Sequence, residues 1–337
     1  MRSLNLLIFI IPFGLKSQQS PEPVAKKQPK VLTTHGHQRT DDYFWMNERD
    51  SKDVLSYISE ENKVSHDFFD SKKALVDKLL AEFEHRIDPN EQSAPFELNG
   101  KVYQIVFEEG KEYSKVIQLN GAKTSVLIDE NERAKGHSYY SLGEWMPSPN
   151  NQLIAMCEDF IGRRNYSITF RNYESSKFLA DKITETDGSV VWANDNKTVF
   201  YVKKDPQTLR SCQVFRHTLG TKQSQDVLVY EDKDEKYNVS ISKSLNNKYI
   251  IINTQSSTTT EELLIKADSP NEPVQVFLAR EKGHLYQVDV HATGFYILSN
   301  KNAPNMRLLF SATIPKSLSE CKEIIPHSES LLEEVLA

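Results

Sequence analysis

The sequence predicts a mainly β fold: a partial β-propeller of about five blades, preceded by an N-terminal helical arm. Three observations predict it. From about Pro95 onward, short runs rich in Val, Ile, Tyr and Phe are separated by turn clusters such as NG, DG and SPNN, the composition of strands and tight turns. Within that stretch two phrases recur in a fixed order. Before it, Ser51 to Arg86 carries apolar residues at helical period.

At the N-terminus, Arg2 precedes an apolar run from Leu4 to Leu15, followed by the polar KSQQS and the Pro-rich PEPVAKKQP. The run is too short to span a membrane, which takes about 20 residues. Residues 1–17 therefore read as a secretory signal cleaved near Ser17, and the expected location is exported, periplasmic or extracellular; without such a signal it is cytoplasmic. No membrane span is expected.

Residues 18–90 form the strap and arm. The string HGHQRTDDYFWM, residues 35–46, raises the question of a metal site. His35 and His37 would share a face if both lay on one strand, with Asp41 and Asp42 nearby, but a site needs a third or fourth ligand and groups that orient them. The pair reads as solvated or interface histidines, and no metal or other cofactor is expected. Asp50, Ser51 and Asp53 then supply capping groups for a helix whose stripe is Leu75, Leu79 and Phe83, with Val76 and Leu80 beside it; Ile87-Asp88-Pro89-Asn90 stops it. An amphipathic arm of this kind needs a surface to lie on.

Residues 91–337 form the incomplete propeller. SPNNQLIAM, ANDNKTVFYV, SLNNKYIIINT and HATGFYILSN each place turn residues before an apolar strand, at spacings of roughly 45 to 51 residues. Each is followed by a second strand phrase: YSITFRNYESSK, CQVFRHTLGTKQ, ELLIKADSPNEP and MRLLFSATIPKS. Four short strands per repeat of this length is the pattern of a propeller blade. The tail HSESLLEEVLA reads as a short helix with no closing strand.

Chemistry is sparse. The nearest approach to a nucleophile elbow, Gly136-His137-Ser138-Tyr139-Tyr140, lacks the closing glycine and reads as a loop; there is no Walker loop, dinucleotide-binding glycine pattern or HExxH, and no catalytic residue is assigned. Cys157, Cys212 and Cys321 lie far apart without a CxxC and read as buried or half-buried thiols. The net charge of −6 offers no basic surface, which excludes nucleic acid as a partner. Glu158, Asp159, Arg163 and Arg164 gather around one turn, either as a solvated hairpin end or as a polar contact between domains, where Arg can grip a carboxylate and still let surfaces part.

Taken together, HGHQRTDDYFWM, SYISEEN, MPSPNNQLIAMCEDFIGRRNYSITFRN, SVVWANDNKTVFYVKKDPQTLRSCQVFRHTLGT, VLVYEDKDEKYNVSISKS and SSTTTEE resemble the oligopeptidase B (protease II) branch of the prolyl oligopeptidase family of serine peptidases, continuously from about Val24 to Pro326. The resemblance implies a seven-bladed propeller inserted near the N-terminus of an α/β-hydrolase domain that carries the Ser, Asp and His of catalysis. It implies cleavage of short peptides after Arg or Lys, with the propeller as a lid. It also makes His35, Arg39, Asp41, Tyr43 and Trp45 a strap that faces the hydrolase domain. About five repeats stand where the family has seven, and the hydrolase domain and triad are absent from the sequence.

Two functions follow as expectations. One is the gating portion of a serine oligopeptidase, inactive by itself and partnered by a missing or separately encoded hydrolase domain. The other is a non-catalytic propeller module that binds peptides or proteins.

Overall fold

The computed structural model describes residues 22–336, so the expected signal segment lies outside the described residues. The chain divides into two compact units, one ending at Asp88 and the other beginning at Pro89.

The first unit opens with a hairpin, β1 (Lys30–Thr34) against β2 (His37–Asp41), joined by the two-residue turn His35-Gly36. Both turn residues have positive φ, +50° and +79°, the mirror-image turn that matches the twist of paired strands. His35 therefore sits on the turn and does not share a strand face with His37. A 3-10 turn, Phe44–Asn47, follows. The indole of Trp45 donates to the Lys26 carbonyl at 2.9 Å and meets Tyr57 edge-on, and the Lys30 ammonium sits over the Phe44 ring at 3.7 Å.

Helix α1 (Lys52–Asp70) starts as the sequence predicts, with the Ser51 hydroxyl accepting from Val54 N at 3.3 Å. The single helix expected to Arg86 is in fact two, the second being α2 (Lys73–Glu84). The Ser71 hydroxyl turns back to donate to the Phe68 carbonyl at 2.6 Å, and Lys72 leaves the helical conformation. No helix among the described residues is long and apolar enough to cross a membrane.

The second unit is built of antiparallel blades. Blade 1 is β3 (Phe96–Leu98), β4 (Lys101–Val106), β5 (Lys115–Asn120) and β6 (Lys123–Asp129). A short helix, α3 (Glu130–Ala134), crosses to blade 2: β7 (Ser141–Pro147), β8 (Leu153–Asp159), β9 (Tyr166–Asn172) and the first half of β10 (Phe178–Trp192). The second half of β10 opens blade 3, with β11 (Thr198–Lys204), β12 (Ser211–Thr218) and β13 (Val227–Glu231).

β10 serves two blades because it bends where its register shifts, and so fuses them into one seven-stranded sheet. Gly188 (φ +103°) lies at the bend, and a Cβ there would stand 2.8 Å from the Tyr166 ring, which leaves room only for glycine. Blade 4 is β14 (Asn238–Lys243), β15 (Tyr249–Gln255), β16 (Thr260–Lys266) and β17 (Gln275–Val276); blade 5 is β18 (Tyr286–His291), β19 (Gly294–Ser299), β20 (Arg307–Ser311) and β21 (Lys322–Ile325). The two repeating phrases of the sequence are the second and third strands of blades 2 to 5.

The core lies in the seams between blades. Along β8, Ile154 and Met156 pack toward blade 1 with Tyr103 and Val116, while Ala155 and Cys157 pack toward blade 3 with Trp192 and Tyr201. β11 repeats this, Val199 and Tyr201 facing one seam and Phe200 and Val202 the next. The period-2 alternation of a strand thus feeds two cores at once, which is why these strands read as unbroken apolar runs.

The tail expected as a helix is irregular. Asn305 Nδ2 donates to the carbonyls of Ser328 and Glu329, and Leu332 N donates to the Asn305 carbonyl, so the blade 5 loop occupies backbone groups that a helix would have needed.

Candidate functional site: the propeller channel

In each blade the first strand pairs with one neighbour only, and the clearest alternation of buried and open side chains is on β14. On β14 Val239 and Ile241 are buried while Asn238, Ser240 and Ser242 are exposed. β3, β7, the second half of β10 and β14 line one cavity, and β14 and β18 border a second, so these are the inner strands and the space they border is the channel. The chain enters blade 1 at Phe96 on one face, the proximal face. Because strands alternate in direction, the first-to-second-strand turns all lie on the opposite, distal face.

At the distal end the inner strands enclose a cavity of about 350 Å³, lined by Leu98, Met146 and Trp192 with Glu97, Glu144 and Lys243 as its charged groups. Glu144 accepts from Val190 N at 2.9 Å; burial pushes its carboxyl pKa above the usual range, and Asp187 adds to the push. Lys243 donates to Asn194 Oδ1 at 2.6 Å, and burial lowers its ammonium to about 8. Asn194 passes the connection on to Asp268 Oδ1 at 2.7 Å and to the Asn247 carbonyl at 2.9 Å.

The distal turns are linked to one another. Asn99 Nδ2 donates to the carbonyls of Pro147 and Ser148, Asn151 Nδ2 donates to the Asn99 carbonyl, and Asn150 N donates to Asn196 Oδ1. Asn99, Asn151, Asn196 and Asn247 each hold φ between +49° and +59° in equivalent turns, a conformation that asparagine tolerates better than most residues.

The residues singled out around the β8–β9 turn separate into two groups, and this turn lies on the proximal face. Glu158 and Asp159 are each 1% exposed. Glu158 is gripped by Arg133 of α3 and also accepts from Tyr140 OH (3.1 Å) and Thr169 Oγ1 (3.2 Å). Asp159 closes the turn by accepting from the backbone N–H groups of Ile161, Gly162 and Arg164. Arg163 and Arg164 are exposed at the tip, where the Arg164 carbonyl receives Lys204 Nζ. The acids therefore build the propeller, and the arginines alone are presented outward.

In the first unit, the strap residues are tied mostly to their own stretch of chain. Asp41 Oδ1 accepts from Tyr43 N at 2.9 Å, Trp45 is tied to Lys26, and Arg39 stands opposite Leu32 in the hairpin with its side chain exposed. Among the described residues no group of three or more His, Cys, Asp or Glu is placed to hold a metal ion.

Two histidine pairs superficially suggest catalysis. His284 Nε2 lies 2.8 Å from Ser299 Oγ, yet the two residues are 4% and 0% exposed and neither lines a cavity of the channel, so no substrate carbonyl reaches the hydroxyl. His217 Nδ1 lies 2.6 Å from Asp226 Oδ1, whose second oxygen accepts from Tyr201 OH; the hydroxyl of this trio is a buried phenol that donates to the carboxylate and not to the imidazole. Both are polar contacts within the propeller. What the channel can do is recognise and admit, through a charged cavity and a ring of turns. Sequence reasoning missed Glu97, Glu144, Lys243 and the linked asparagines. Their signal was the polar alternation of NVSISK and the recurrence of Asn in equivalent turns.

Residues 22–337 match the family described as the prolyl oligopeptidase N-terminal beta-propeller domain. The chain is 32% identical to dipeptidyl aminopeptidase BI of Pseudoxanthomonas mexicana, over 96% of its own length and 48% of that protein's. It is 30% identical to protease 2 of Moraxella lacunata, over 85% and 43%. It is similar in structure to oligopeptidase B from Leishmania major (TM-score 0.85, 28% identity, 93% of this chain and 47% of that one) and from Trypanosoma brucei (TM-score 0.82, 27% identity, 92% and 47%). The chain thus spans about half the length of the curated relatives it matches.

Proposed function

Because the chain belongs to the prolyl oligopeptidase family, whose N-terminal β-propeller it carries, we propose that it is the substrate-gating portion of a serine oligopeptidase that cuts short peptides after Arg or Lys. The observation that carries this reading is the channel itself. Five blades present their inner strands to a passage with a charged cavity at its distal end, in a chain similar over nine-tenths of its length to oligopeptidase B. A passage of that kind admits an extended peptide and turns away a folded protein by size.

On this reading a hydrolase body meets the proximal face. Arg163 and Arg164 are its polar latch, strong enough to orient a carboxylate and weak enough in water to release it. The strap of His35, Arg39, Asp41, Tyr43 and Trp45, with the stripe on α2, lies against the same body. Leu75, Leu79, Leu80 and Phe83 are 42–56% exposed, and covering what remains open contributes about half of the roughly 1.5–3 kcal/mol that full burial of such a side chain gives. The N-terminal apolar run directs export, which the N-terminal sequence of the mature protein checks.

The 337-residue chain alone is expected to leave Arg- and Lys-containing fluorogenic peptides uncut. Cleavage that a serine-directed inhibitor abolishes overturns the reading of this chain as a gate without its own triad.

A further inference from the structure

Between blades 4 and 5 a carboxylate is buried beside the apolar seam. The residues of β16 that face blade 5 are Thr260, Glu262, Leu264 and Lys266, and Leu264 joins Ile251, Phe277, Val288 and Ile297 in the seam. Glu262, two residues earlier on the same face, is 3% exposed. Its Oε1 receives only two long hydrogen bonds, from Asn253 Nδ2 at 3.3 Å and Val288 N at 3.4 Å. Its Oε2 has no partner. A buried carboxylate without a counter-ion is costly, and burial accordingly pushes this one up to about 8, with Asp289 of β18 adding to the shift.

Glu262 borders a cavity of about 390 Å³ whose polar lining includes Ser240, Asn253, Gln255, Gln287 and Glu333. Ser240 and Gln287 are exposed on the inner strands β14 and β18, so the cavity opens on the channel. The lining contains carboxylates and neutral polar groups but no Lys, Arg or His. Glu261, on the other face of β16, is already engaged by Arg280. With no constellation for a divalent metal among the described residues, the complementary ligand is a single organic cation.

We propose that this cavity between blades 4 and 5 is a subsite for the cationic head of a basic side chain, an ammonium or guanidinium, on a peptide in the channel, with Glu262 as its counter-ion. The identity of the occupant as a peptide rests on the peptide-handling reading above. The binding itself is measured without hydrolysis, so absent cleavage and absent binding are separate failures.

Below pH 8 the free Glu262 holds a proton that the incoming cation displaces to solvent. Affinity therefore rises by up to about tenfold per pH unit as pH climbs toward 8, and levels off above it. Calorimetric titration of the full chain with N-acetyl-lysine amide, N-acetyl-arginine amide, the neutral N-acetyl-norleucine amide and putrescine tests this. The two basic amides are expected to bind, the neutral one not, with proton release that disappears in Glu262→Gln and affinity at least about tenfold lower in that variant.

Ser240→Lys, which places a cation at the mouth, is expected to lose binding as well. Thermal melts of both variants confirm that they are folded. Equal binding of the norleucine amide, unchanged binding by Glu262→Gln, or binding of putrescine alone overturns the proposal.

Discussion

Arg133 grips Glu158 across the seam between the first two blades by two parallel hydrogen bonds, Nε to Oε1 at 2.7 Å and Nη2 to Oε2 at 2.9 Å. The Glu158 side chain has no exposure, while the Arg133 side chain keeps 31% of its surface and its guanidinium lies over the Phe178 ring. The pair therefore joins a buried charge to a partly solvated one. Removing Arg133 strands Glu158 inside the protein, whereas removing both charges together does not. Arg133→Met is expected to destabilise the second unit by about 3–5 kcal/mol, and Arg133→Met with Glu158→Gln by clearly less. Urea unfolding of the three proteins checks the order.

Glu262 gives stability a sign that can be worked out. Its ordinary pKa of 4.5 applies in the unfolded chain and a value of about 8 in the folded one, so between those values the folded state binds more protons than the unfolded state. Stability must then fall as pH rises from 4.5 to about 8 and change no further from this group above it. Glu262→Gln is expected to remove that decline, which the urea midpoint measured at pH 6 and at pH 9 reads directly. An unchanged slope in the variant would mean the carboxyl is already ionised or already paired.

The distal turns test whether asparagine is there for its backbone or its side chain. Asn151 holds φ +56° and donates to the Asn99 carbonyl at 2.9 Å. Asn151→Gly keeps the backbone freedom and loses the bond between blades, at a cost of about 0.5–1.5 kcal/mol. Asn151→Ala loses both and should cost about 1–2 kcal/mol more. Equal losses in the two variants would assign the whole effect to the hydrogen bond.

The apolar stripe of α2 makes a prediction about association. With Leu75, Leu79, Leu80 and Phe83 about half exposed, the isolated chain should self-associate, and Leu79→Lys with Phe83→Lys should shift light scattering toward monomer while leaving the unfolding midpoint of the second unit in place. A wild-type chain that is already monodisperse would show that this stripe is not the adhesive surface.

The fold was legible wherever local chemistry and burial agree. The second strands of blades 2 to 5 stood out because both their faces are buried, so LIAMCE or TVFYV cannot be mistaken for surface. Ser51 was readable as a cap because its hydroxyl does the same job in any helix. What failed was decided at a distance. Ser71 breaks the arm by bonding to Phe68, a choice no periodicity records, and the tail gives up a helix because Asn305, more than twenty residues earlier, takes its carbonyls.

The candidate site was harder still. Glu158 and Asp159 looked like surface charges because each partner that buries them, Arg133 in one case and a run of backbone amides in the other, is invisible until the turn is closed. Glu262 sits in EELL, where nothing marks one of two adjacent glutamates as the buried one. Only the strand alternation through Leu264 does so, once the neighbouring blade is known.

The alternation along β8 and β11 carries one more consequence. Ile154 and Ala155 are bonded neighbours, yet the first shares its surroundings with Tyr103 and the second with Trp192. Substitutions at adjacent positions of a central strand should thus be nearly additive, while epistasis links residues fifty apart. Compensating changes in this protein should therefore be sought one blade over, not one residue along.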